Sequence, residues 1–199
     1  MLDPSDARSE DLEVDEIEAP TRADARRNRT SILEAAAAAF ADEGLGVPVD
    51  EIARRAGVGP GTVYRNFPTK EALFEAVIMR HMEALTDEAT RLADSPEPAD
   101  ALFAFLQRMA DEAGTKRNLV EAMLAAGGQF DERMDAAKQK VHAAAAVLLE
   151  RAQGSGEVRE DVTVDDLFGM VIGCAMTPPA AGMASSSRMV AVVCDGLRR

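Results

Sequence analysis

The stretch VPVDEIARRAGVGPGTVYRNFPTKEALFEAV, Val47 to Val77, decides how this chain folds. Val49, Ile52, Ala53 and Ala56 recur at helical spacing and predict the buried face of a short helix. Asp50 and Glu51 fall in its first turn, where the helix dipole favours acids. Gly57 stops it, and Gly59-Pro60 restarts the chain with proline at a first helical position. The next helix runs from Pro60 to Asn66, with Val63 inward and Phe67 closing it. Two short helices across a tight glycine turn make a helix-turn-helix, whose second helix can enter a DNA major groove. Its outer face carries Gly61, Thr62, Tyr64, Arg65 and Asn66. Arg65 and Asn66 can bond base edges. Thr62 and Tyr64 can bond phosphates, and Lys70 opens the following helix, where backbone amides also point outward. Arg26 and Arg55 complete the set expected to meet DNA. The bland reading, an ordinary solvated face, suits Arg54 as well as the functional one does. It accounts poorly for Tyr64, Arg65 and Lys70 in this joint spacing.

Outward from this stretch the pattern stays helical. A first helix follows Thr21, with Asp24 as its capping-box partner, and its stripe is Ile32, Leu33, Ala36, Ala37, Phe40 and Ala41. Gly44 ends it. Thr69 caps a fourth helix with the stripe Leu73, Phe74, Val77, Ile78, Met82, Leu85 and Ala89. Ser95-Pro96-Glu97-Pro98 is a break. Five more helices are expected, near 99–113, 117–126, 131–153, 164–176 and 186–197, and Thr163 with Asp166 forms another capping box. The fold class is all-α with about nine helices. The expected division is a disordered acidic arm at 1–20, a helix-turn-helix domain at 21–68 and a larger helical domain at 69–199.

The net charge of −13 is unusual for a DNA binder, but its distribution resolves the conflict. Residues 1–21 hold eight acids against Arg8 alone, whereas residues 22–70 hold eight bases against six acids. The only net-basic segment is therefore the one with the helix-turn-helix. The strong negative charge elsewhere argues against an architectural protein that coats DNA regardless of sequence. Cys174 and Cys194 match no metal or redox spacing and read as small buried side chains. No nucleophile elbow, phosphate loop or zinc spacing argues for an enzyme, and no cofactor or metal is expected. No apolar run is long enough to span a membrane, and the first residues lack the pattern of a signal peptide, so a cytoplasmic protein is expected.

The pattern Ile52-Ala53, Ala56-Gly57-Val58, Gly61-Thr62-Val63-Tyr64, Phe67, Lys70-Glu71 and Leu73 resembles the TetR family of bacterial regulators. The preceding Ile32-Leu33-Glu34-Ala35-Ala36, Phe40 and Gly44 are similar to it too. One departure is Pro48, where the family usually places a capping Thr or Ser that often touches phosphate.

The resemblance implies a repressor that binds double-stranded DNA as a homodimer on a near-palindromic operator. It implies that the last two helices of each subunit pack as a four-helix bundle, for which Leu167, Gly169, Val171, Gly173, Met189, Val193 and Leu197 are the candidates. It also implies a small-molecule pocket in the larger domain, with Phe103, Leu106, Met109, Met123, Phe130, Met134, Val141, His142 and Phe168 as candidate lining. That lining suits a largely apolar ligand, with His142 as the polar handle. Each methionine there reads equally as core filling, and a lone helix histidine is more often idle than a ligand contact. The alternative is a regulator controlled by a protein partner, with no small-molecule inducer.

Overall fold

The computed structural model describes residues 22–115, 132–177 and 186–199. Eight α-helices lie among them: α1 Arg22–Glu43, α2 Val49–Ala56, α3 Pro60–Asn66, α4 Lys70–Leu92, α5 Pro98–Thr115, α6 Glu132–Gly154, α7 Val164–Met176 and α8 Ser186–Leu197. A single 3-10 turn, Gly44–Gly46, joins α1 to α2. The described residues contain one isolated antiparallel bridge, Val158 with Arg198, and no named strand. The all-helical fold is as the sequence implies. The ninth expected helix, near 117–126, lies outside the described residues, as do the acidic arm and the Thr21 cap.

Local chemistry sets the helix ends. Gly44 and Gly57 take φ of 70° and 69°, the left-handed region that only glycine enters without strain. Gly57 thereby returns its N–H to the Arg54 carbonyl at 3.2 Å. Pro48 caps α2 through its backbone carbonyl alone, which accepts from Glu51 and Ile52. Thr69 caps α4 with its hydroxyl oxygen, which accepts from the Ala72 N–H at 3.1 Å. Thr163 and Asp166 form the full reciprocal capping box at α7. Helix α5 starts at Pro98, inside the expected break, because a proline in the first turn lacks only an N–H that would have no helical partner.

Three helices close around α1. Ile32, Ala36, Ala39 and Phe40 are fully buried, and the Phe40 ring meets Phe74 of α4 edge-on at 5.7 Å. Val63 and Phe67 pin α3 to this core, at 1% and 3% exposure. Burying a side chain of this size contributes about 1.5–3 kcal/mol, so α3 is held firmly although it has only seven residues. From there one buried cluster continues along α4, through Ile78, Met82 and Leu85, into Leu102, Phe105, Met134, Leu148 and Leu167. Helix α4 is thus a single element with its first turn beside α3 and its last turns in the larger helical part, where it packs chiefly on α6.

Candidate nucleic-acid interface

The two-residue spacing between Val63 and Arg65 turns the side chains of α3 to opposite sides. With Val63 inside, Gly61, Tyr64 and Arg65 are exposed, and Thr62 and Asn66 are half-buried. Tyr64 keeps 49% of its surface in solvent, unusual for an aromatic side chain with a core available beside it. A Cβ added at Gly61 would meet nothing within 4 Å, so this end of α3 can approach another surface closely.

The polar groups on this face are held by short-range bonds. Arg65 donates from Nε to the Gly61 carbonyl at 3.1 Å and from a terminal nitrogen to Thr62 Oγ1 at 3.0 Å. Asn66 Nδ2 donates to the Thr62 carbonyl at 2.8 Å. The Arg65 bonds lie at the surface, where each is worth little net and can be exchanged for a base edge or a phosphate. Lys70 Nζ donates to the Leu45 carbonyl, tying the start of α4 to the 3-10 turn.

The arginines of α2 are engaged more strongly. Arg54 forms a two-pronged pair with Glu51 at 2.8 and 2.7 Å. Arg55 bonds the same Glu51 at 2.7 Å and also Glu43 of α1. The two guanidinium groups hold the Glu51 carboxyl at about 2, well below its usual 4.5, with Arg54 the larger cause. Glu51 is therefore ionised at neutral pH and offsets charge that α2 would otherwise present. The i,i+3 and i,i+4 spacing of Glu51 to Arg54 and Arg55 makes this pairing readable from sequence.

Arg29 is a contributor that the motif alone does not single out. Its guanidinium lies 4.4 Å from the Phe67 ring centroid and donates to the Asn66 carbonyl at 3.4 Å. It buttresses the end of α3 from α1. Arg26 is exposed one turn earlier.

The other candidates divide by burial. Phe103, Leu106, Met134 and Val141 are buried core residues, and Met109 and Phe168 are half-buried. His142 stacks on Phe168, with centroids 6.0 Å apart, and its Nε2 lies 2.8 Å from Asp165 Oδ1. Met123 and Phe130 lie outside the described residues. Among the bundle candidates, Leu167, Val171 and Leu197 are at most 3% exposed in the single chain. They already pack within the protomer and leave almost no surface for a second copy. Gly169 and Gly173 face outward, and Met189 and Val193 are half-buried. Val192, with 66% of its surface exposed, joins them as an outward apolar group that the helical stripe did not include.

Both cysteines are free thiols, and burial pushes both up in pKa, Cys194 to about 11. They stay protonated at neutral pH and are poor nucleophiles. Among the described residues no group of three or more His, Cys, Asp or Glu is placed to hold a metal, and no helix is long and apolar enough to cross a membrane.

Comparison with known proteins agrees with the geometry in both halves of the chain. Residues 32–77 match the family model described as bacterial regulatory proteins, tetR family. Residues 97–199, more than half the chain, match the C-terminal domain of SbtR-like transcriptional regulators. A TetR regulator from Mycobacterium vanbaalenii is 42% identical, covers 89% of this chain and 99% of its own, and superposes with a TM-score of 0.70. A TetR regulator from Streptomyces coelicolor is 36% identical over 85% of this chain and 98% of its own, with a TM-score of 0.69. At the level of fold alone, the regulator FadR from Bacillus subtilis, in complex with stearoyl-CoA, is 19% identical over 84% and 96%, with a TM-score of 0.65. An exposed polar face on a pinned third helix, with family models matching residues 32–77 and 97–199, makes this chain a transcriptional regulator of the TetR family.

Proposed function

We propose that the protein is a repressor that reads its operator with α3 and is released from DNA by a small, largely apolar ligand. The observation that carries the first half is the sorting of α3. Val63 and Phe67 are buried, while Tyr64 and Arg65 face solvent on a helix short enough to lie in one major groove. In this reading Arg65 and Asn66 meet base edges. Thr62, Tyr64 and Lys70 meet phosphates, Gly61 permits close approach, and Arg26 meets the flanking backbone. Arg55 contributes less than its position suggests, because Glu43 and Glu51 hold it.

Two copies joined through the outward faces of α7 and α8 place two recognition helices on one side of the assembly and favour a near-palindromic site. Release then follows from α4. A ligand that favours a shifted α4 changes the spacing of the two α3 helices, and a mis-spaced dimer loses one half-site. The ligand chemistry is supported by the half-buried apolar side chains Met109 and Phe168, and by a protein of the same fold whose structure holds stearoyl-CoA. A second reading, control by a protein partner, draws support from Phe103, Leu106, Met134 and Val141, which are buried in the packed core of this structure.

Operator DNA carrying the bound protein decides between these readings when titrated with long-chain fatty acids and their coenzyme A esters. Dissociation by one of them supports the ligand reading. Retention with all of them favours the partner.

A further inference from the structure

A groove of about 600 Å³ runs between α1, the corner joining α3 to α4, and the start of α6. Four arginines line it, Arg26, Arg29, Arg80 and Arg133, against two acids, Glu75 and Glu83, and Arg80 is also paired with Glu34 at 2.9 Å. Between them lie apolar groups, among them Leu33, Phe67 and Met79. The chain as a whole carries a net charge of −13, so this groove runs against its general sign. Arg29 is also the residue that stacks on Phe67 and bonds the last residue of α3.

The chain itself supplies a segment of matching chemistry. Residues 1–21 carry eight acids against Arg8 alone. The run LEVDEIE, residues 12–18, intersperses Leu12, Val14 and Ile17 with four acids, the same mixture of charge and apolar surface in opposite sign. This run is joined to α1 just before Arg22, and the α1 wall of the groove begins one turn later at Arg26. One helical turn is about 5 Å, while twenty residues of extended chain reach roughly 66 Å, so the segment can double back along the groove. Its attachment gives it a local concentration that a free anion lacks.

We propose that residues 1–20 dock into this groove as an acidic strap and hold the protein in a state that binds DNA less well. The strap competes with phosphate for Arg26 and Arg29, and its charge opposes DNA beside the end of α3. This rests on α3 and the start of α1 meeting DNA. Salt screens the competition, so the effect is largest at low ionic strength.

Four proteins test it: the full chain and a chain lacking residues 1–20, each with and without the pair Arg80→Ser and Arg133→Ser. Neither of those arginines belongs to the set proposed to meet DNA. Truncation is expected to tighten operator binding about threefold to tenfold at low salt, the sum of a few exposed ion pairs, and to change it little at high salt. The paired substitution is expected to tighten binding in the full chain and to leave the truncated chain unchanged. Equal affinity of full and truncated chains at low salt overturns the proposal. An equal effect of the substitutions in both backgrounds overturns it too. A fluorescent peptide of residues 1–20, titrated against the truncated chain without DNA, separates this proposal from the reading of α3. Anisotropy that rises, and falls back with the two substitutions or with salt, supports the strap even if no operator is found. Anisotropy that does not rise even with the truncated chain at about millimolar concentration, the range a short tether provides, contradicts it.

Discussion

Helices α3 and α8 are both short, both bury one side in the same core and both leave the other side in solvent. Val63 and Phe67 anchor the first; Val190, Cys194 and Leu197 anchor the second. Their outer faces differ. On α3 that face holds Thr62, Tyr64, Arg65 and Asn66, with a bare glycine beside them. On α8 it holds Ala191, Val192 and Gly196 beside the charged Asp195, and Gly169 and Gly173 of α7 are exposed as well. A face of donors and acceptors is suited to a polyanion, whereas small apolar groups are left in water at a cost unless another such face covers them. The same construction therefore leaves a polar face on α3 and a face of mostly small residues on α8.

The largest expected effect comes from damaging the α8 face. Val192→Asp places a charge on the surface proposed to meet a partner and is expected to give a monomer in sedimentation. With one half-site lost, operator affinity should fall by about 10²–10⁴-fold, the gain that a tethered second binding event normally provides. A variant that stays dimeric moves the interface elsewhere. Arg65→Ala should cost roughly 1–3 kcal/mol of operator binding while sedimentation stays unchanged. Lys70→Ala is expected to do less, weakening all DNA sequences alike and lowering the slope of log affinity against log salt by about one. A loss confined to one sequence would instead make Lys70 a base reader.

The smallest effect belongs to Glu51→Gln. Releasing Arg54, and loosening Arg55, which Glu43 still holds, should strengthen binding to random-sequence DNA slightly, read in a filter or anisotropy titration at low salt. The same substitution has a signed effect on stability. The folded-state carboxyl is depressed to about 2 from 4.5, so its contribution is fully present above 4.5 and is lost as pH falls through about 2. Urea midpoints of wild type and variant should differ by a constant amount from pH 7 to 5 and converge below. Divergence on acidification would contradict the assignment.

What was legible in the sequence follows from the range of the interactions concerned. The ends of α2, α3 and α7 were readable because Gly57, Pro60 and the Thr163–Asp166 pair act within a few residues of themselves. The inward turn of Val63 and Phe67 was readable from spacing alone. Arg55 reaching Glu43, Lys70 reaching the Leu45 carbonyl and Arg29 stacking on Phe67 were not, since each joins elements whose approach is set by packing. The bundle stripe shows the same limit. Periodicity marks Leu167, Val171 and Leu197 as apolar, but whether an apolar stripe faces its own core or another molecule depends on which neighbouring helix arrives first. Here α5 packs on α7 and α8, Leu167, Val171 and Leu197 are buried, and Gly169, Gly173 and Val192 stay outside.

Selection of bound fragments from a random DNA pool, run with the wild type and with Arg65→Ala, tests the central claim most directly. The wild type should enrich a near-palindrome whose half-sites lie about one helical turn apart or slightly more. The variant should lose preference at the same position in each half-site and keep the rest. An enriched site without two-fold symmetry, or one that Arg65→Ala reads as the wild type does, would contradict it.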